Sequence, residues 1–270
     1  MLGKYEEMPI ETHSVQGIEG LLQAVLGIAK DLPEGRFLWF RGLSCGRHKL
    51  IPKIMRDNKP SDEVFDRERR LITRFRQRSI AYWPTGYPQS DWEHLFAMQH
   101  FGMPTRLLDW SENLFVASHF ALSEPSTHTH EGECIPVVWC VDPIEWNRSV
   151  PLLSEFGDAI QVLTTADEDL DSYRPETSKK RSRSPVAMFG THNSARIVAQ
   201  RGTFMAWGCD PKPLEDFANE QSAKLWRIEV LGNQSELAKS LRQLGFSETM
   251  VFPELPSLSI ELSRTEGWKS

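Results

Sequence analysis

Between Gly35 and Gly42 the hydrophobic pattern of this chain changes its period, and that change limits the folds open to it. Upstream, Val15, Ile18, Leu21, Leu22, Val25, Leu26 and Ile28 recur at helical spacing, which predicts an amphipathic helix over residues 14–30 ending near Pro33. Downstream, Arg-Phe-Leu-Trp-Phe at residues 36–40 is a short aromatic run of the kind that fills a buried strand, with Arg41 at its end.

The same reading predicts helices over residues 62–78, 92–100, 114–122 and 235–244, and strands over 136–141, 195–199 and 224–230. Residues 103–111 are too short and too interrupted by Pro104 for a helix. Asp109 followed three residues later by Glu112 resembles a capping box, so Asp109 and Ser111 read either as helix-entry residues or as site residues. The segment 154–184 is acidic, then basic and serine-rich, with weak periodicity, and predicts an irregular excursion. These elements do not alternate as βαβ units, which favours an α+β fold over a doubly wound sheet.

Several functions are disfavoured at this level. No GxGxxG follows a strand and no GxxxxGK[ST] occurs, so neither usual nucleotide fingerprint is present. No run reaches the roughly 18 to 20 apolar residues of a membrane span, which predicts a cytoplasmic chain without a membrane partner. Cys45, Cys134, Cys140 and Cys209 form no CxxC pair and are too sparse for a disulfide scaffold, which fits a reducing compartment. The net charge of −6 argues against nonspecific coating of nucleic acid, although arginines crowd the helix predicted over 62–78. That row reads as a solvated face or as a local docking surface.

Gly42-Leu-Ser44-Cys-Gly46 matches the GxSxG elbow of serine hydrolases, but an elbow must open into a helix and Pro52 soon interrupts this one. His128, His130, Cys134 and Cys140 carry ligand chemistry at a spacing that matches no closed zinc module, so no metal is predicted.

The longest distinctive string is Met98-Gln-His-Phe-Gly-Met-Pro-Thr-Arg-Leu-Leu-Asp-Trp-Ser111. Before it come Trp39-Phe-Arg-Gly42 and Leu50-Ile-Pro52; after it come Asn113 to Ala121, Arg196-Ile-Val-Ala-Gln-Arg-Gly-Thr-Phe204, Leu244-Gly-Phe246 and Phe252-Pro-Glu-Leu255. Together these resemble the FRG domain, named for its Phe-Arg-Gly triplet. The resemblance covers residues 14–262, with tails at 1–13 and 263–270 and the irregular excursion at about 154–190. Two positions depart from the family pattern: Glu254 stands where an aspartate is more usual, and Arg201 where a second glutamine is expected.

The order of elements is also similar to the ADP-ribosyltransferases, which hold extended NAD in the cleft of a mixed, split β-sheet with flanking helices. That resemblance implies an NAD-dependent ADP-ribosyltransferase whose substrate is NAD, acting as a toxin or antiphage defence effector, with a possible antitoxin partner. It implies Arg41, Ser111, Gln200 and Glu248 as catalytic residues, and Arg41, Gly42, His100, Thr105, Arg106, Asp109 and Trp110 as NAD contacts. A nucleic-acid acceptor would dock through Arg67, Arg70, Arg74 and Arg78. The other reading is a non-catalytic nucleotide- or partner-binding module, because the late-strand position matching the family is the amide Gln200, which cannot offset positive charge. Glu229, Glu248, Glu254 and Asp109 are the carboxylates that could take its place.

Overall fold

The computed structural model describes residues 9–83, 86–122, 134–191 and 194–268. The chain runs β1 (Ile10–Gln16), α1 (Gly17–Lys30), β2 (Trp39–Leu43), α2 (Ser61–Ser79), α3 (Asp91–His100), β3 (Leu107–Ser111), α4 (Leu114–Leu122), β4 (Val137–Val141) and α5 (Pro143–Ser149). It continues with β5 (Val186–Phe189), α6 (Ala195–Gln200), β6 (Gly202–Ala206), α7 (Leu214–Gln221), β7 (Leu225–Leu231), α8 (Gln234–Gln243), α9 (Glu248–Val251) and α10 (Leu255–Thr265). Among the described residues no helix is long and apolar enough to cross a membrane.

The strands form one seven-stranded mixed sheet in the order β1-β7-β4-β2-β3-β6-β5. Only the β1–β7 pair is parallel; the others are antiparallel. In the middle, β4 (Val-Val-Trp-Cys-Val) is buried at every position, as a strand covered on both faces must be. Phe40, Val138, Cys140 and Ile228 pack against α1, α4 and α8. Trp39, Trp139 and Val141 on the opposite face join Val64, Ile72 and Phe96 of α2 and α3.

The expected helices and the strands near 36–40, 136–141 and 224–230 are present, with shifted ends. Residues 10–13 belong to β1 rather than to a tail, and α1 starts at Gly17. Two corrections matter for function. Residues 195–199, expected as a strand, form α6: the Ser194 hydroxyl accepts from the Ile197 N–H (3.2 Å), and Arg201 ends the helix at φ 45°. Helical spacing then explains why Ile197 is buried while Val198 is 55% exposed. The helix cap expected at Asp109 or Ser111 is made instead by Asn113, whose Oδ1 accepts from Phe115 N (2.9 Å), because both earlier residues lie in β3.

Cys45 and Cys134 form a disulfide, contrary to the expectation of unpaired thiols. Strand pairing brings them together: Leu43 faces Val137, and Gly46 N donates to Ile135 O (2.8 Å), leaving the two Cα atoms 4.8 Å apart. The crosslink restricts the unfolded chain, so Cys134→Ser is expected to lower the unfolding free energy by about 2–4 kcal/mol. Urea titrations should show that loss without reductant and none once dithiothreitol is added to both proteins; an equal gap in both buffers would refute the crosslink as its cause.

Candidate functional site

The sheet opens between β2 and β3. These strands share one registered pair, Phe40 with Ser111, whereas β2 pairs with β4 at five positions. Continuing the register would set Gly42 opposite Asp109, but the pairing stops and the Arg41 side chain enters the gap. There its Nη1 donates to the Asp109 carbonyl and lies 4.0 Å from Asp109 Oδ2. Arg41 therefore sits within β2, not at its end. Burial pulls the Arg41 pKa down, Asp109 pulls it back up, and nearby Arg56 depresses it further. The side chain is 17% exposed. Its Nε has no hydrogen-bond partner among the described residues.

Alternation along β2 sends the next residue the other way. Gly42 faces α4, where a Cβ would overlap the Ala117 carbonyl oxygen and lie 2.7 Å from Ala121 N. Its role is close packing, although it also borders the cleft.

Two connected chambers occupy the opening. The inner one, about 220 Å³, is walled by rings, Phe40, Phe96, Trp110, Phe120 and Phe204, with Ser111, Gln200 and Thr203 as its polar groups. The outer one, about 560 Å³, is lined by Lys53, Arg56, Phe101, Met103 and Glu254. Arg41, Gln99, His100, Asp109 and Arg196 line both. The site thus couples an aromatic end to a cationic end through Arg41.

Asp109 is the carboxylate at the junction. Gln99 Nε2 donates to its Oδ2 (2.8 Å), and Gln99 Oε1 in turn accepts from Thr105, which fixes the amide's orientation. His100, at the C-terminal end of α3, has its pKa lowered by burial and by Arg196, with Glu254 acting the other way, so its neutral form is favoured. Arg196 lies 4.6 Å above the Phe252 ring and donates to His100 O (3.4 Å).

Other expected site residues have structural partners. Ser111 Oγ donates to Gln200 O (2.7 Å) and accepts from Asn113 N (2.9 Å), splinting β3 to α6. Gln200 ends α6 and donates to Val251 O (3.1 Å), though it lines the inner chamber. Trp110 is a buried wall of that chamber, and its Nε1 has no hydrogen-bond partner among the described residues. Thr105 and Arg106 are buried behind the cleft wall, and Arg106 pairs with Glu68 at 3.1 Å.

Glu248 pairs with Arg264 (3.2 Å) in a separate pocket and lines neither chamber. Glu229 is held by Ser14 and Arg227, also away from the cleft. Tertiary folding separates these carboxylates from Arg41 because β7 and α9 present them to other neighbours. Gln99, Lys53, Arg56 and Arg196 were not assigned roles from sequence; Gln99 and Arg196 do stand inside the distinctive strings.

Among the described residues no three His, Cys, Asp or Glu side chains are grouped to hold a metal ion. His128 and His130 lie outside the described residues.

Residues 36–130 match the family model of the FRG domain. That span carries Arg41, Gln99, His100 and Asp109, while Arg196 and Glu254 come from beyond it. No curated protein and no solved structure matches the chain.

Proposed function

From a chain that carries an FRG domain and whose sheet opens at that domain's own arginine, we propose an NAD-dependent ADP-ribosyltransferase working in the two-chambered cleft. The carrying observation is the junction itself, where Arg41 and Asp109 meet between an aromatic chamber and a cationic one.

In this reading the nicotinamide lies among Phe40, Trp110 and Phe204, and the pyrophosphate lies toward Arg41, Arg56 and Lys53. Guanidinium suits the phosphate end because its planar fork matches phosphate oxygens and stays charged even with a depressed pKa. The ribose spans the junction, within reach of Asp109. Breaking the bond between the nicotinamide nitrogen and ribose C1′ leaves an oxocarbenium-like carbon, as in glycoside hydrolysis. The electron pair leaves with neutral nicotinamide, so no general acid is needed. An acceptor lone pair forms the new bond to C1′, and the acceptor's proton passes to solvent. Asp109, oriented by Gln99, supplies the negative charge that stabilises this carbon, the role that Gln200 cannot fill.

Nicotinamide release from NAD, followed chromatographically with cell extract as acceptor source, tests this. Arg41→Lys should lower kcat/KM about 100-fold, because a point charge cannot reproduce the fork, and Asp109→Asn should lower kcat by a similar factor. No release by the parent protein would sink the transferase. Release unaffected by both substitutions would place the chemistry elsewhere.

A second reading, a nucleotide-binding module without turnover, is favoured by the engagement of Ser111 and Gln200 with backbone groups. Saturable NAD binding by calorimetry, lost in Arg41→Ala and unaccompanied by turnover, would establish it instead.

A further inference from the structure

Along α2, Arg67, Arg70, Arg74 and Arg78 recur at steps of three, four and four, which sets them in one row on the helix. Arg67 is neutralised by Asp57 at 3.0 Å and approached by Glu63 at 3.8 Å. Arg70, Arg74 and Arg78 are exposed and make no ion pair among the described residues. Three uncompensated guanidinium groups on one face of a chain with net charge −6 form a local basic field.

The row borders a groove of about 400 Å³ that includes Lys53, Asp57 and Leu71. Lys53 also lines the outer chamber of the cleft, where its ammonium donates to Gly102 O (3.0 Å). The groove and the outer chamber therefore adjoin at Lys53.

We propose that this groove binds single-stranded nucleic acid and leads it to the outer chamber as acceptor; the acceptor role, though not the binding, rests on the NAD reading above. From Arg67 to Arg78 a helix advances about 16 Å. A single strand is more extended than the roughly 3.4 Å per phosphate that each strand of a duplex advances along its axis, so that row spans at most about four phosphates.

Aromatic rings select nucleic acid over an acidic peptide. Phe101, 63% exposed, stands in the wall of the outer chamber with Trp83 edge-on to it at 6.3 Å, and Tyr82 is 83% exposed nearby in sequence. A basic track ending at an open ring is the combination that single strands use, phosphates on the cations and a base on the ring.

The test is fluorescence anisotropy of a labelled, mixed-sequence, single-stranded oligonucleotide on the full chain without NAD. Replacing Arg70, Arg74 and Arg78 together by glutamine should weaken binding about 10- to 100-fold and reduce the slope of log affinity against log salt by about 2. Phe101→Ala should weaken binding about 10-fold with the slope unchanged. An unchanged thermal melt verifies that the variants fold.

Oligonucleotide binding that survives the triple substitution overturns the proposal. So does polyglutamate binding that is tighter than the oligonucleotide and equally lost in the variants. NAD turnover on the same preparations separates the two readings. Turnover without oligonucleotide binding removes the groove alone, whereas oligonucleotide binding without turnover removes the transferase and leaves the groove.

Discussion

Gly42→Ala is expected to destabilise the protein by at least about 3 kcal/mol, the upper range for an inserted methyl group, and to reduce soluble yield sharply. The added Cβ meets backbone on α4, overlapping Ala117 O and lying 2.8 Å from Ala117 C and 2.7 Å from Ala121 N. No rotamer change relieves contact with backbone. Moving β2 away is no easier, because it is paired along its whole length with the buried strand β4. Moving α4 away would expose Ala117, Ala121 and Leu122, all buried against β2 and its neighbours. Gly27→Ala in α1 is the control: nothing lies within 4 Å of its Cβ position, so the same methyl should be neutral or stabilise the helix by up to about 1 kcal/mol. Urea unfolding of both variants decides the matter. A Gly42→Ala protein as stable as its parent would mean that α4 does not rest on β2 as described.

Arg106→Met should cost about 3–5 kcal/mol, the usual penalty for leaving one charge of a buried pair alone. Arg106 and Glu68 are 1% and 2% exposed, with Nη2 3.1 Å from Oε2. Burial raises the Glu68 pKa and lowers that of Arg106, with each partner opposing the other's shift. The pair joins three parts of the chain, since the Phe65 ring on α2 lies under both Arg106 (5.1 Å) and Arg181 (3.8 Å) of the long excursion. Replacing both charges, Arg106→Met with Glu68→Leu, should recover much of the loss, because two apolar side chains need no compensation. A double-mutant cycle in urea measures this. Losses from the single substitutions that simply add in the double variant would rule out the pair as the source.

Arg41 and Arg106 are alike in sequence and differ in the fold. Each arginine stands inside a distinctive string, so residue type and spacing treat them alike. The register separates them: Arg41 falls where β2 and β3 part, while Arg106 precedes β3 and turns toward α2. The carboxylates divide in the same way. Of Asp109, Glu229, Glu248 and Glu254, the resemblance implied Glu248 as catalytic and Asp109 as an NAD contact, but folding brings only Asp109 and Glu254 to the cleft.

Secondary structure followed this division too. Periodicity located α1, α2 and α8, because amphipathic helices repeat one buried face over several turns, and the apolar runs of α3 and α4 were also read as helices although they are buried on more than one face. It missed β1, β3, β5 and β6 and turned α6 into a strand, since four to seven residues give either period too few repeats to differ.

The sequence by itself thus determined the mixed architecture, the FRG string and the presence of a strand carrying Arg41, all of which depend on residues close together in the chain. Only the tertiary structure decided that the sheet opens beside Arg41, that Gly42 is a packing residue, and that Asp109 is the carboxylate at the junction. Those outcomes depend on which strands pair and where pairing stops, and that is set by the packing of segments far apart in sequence.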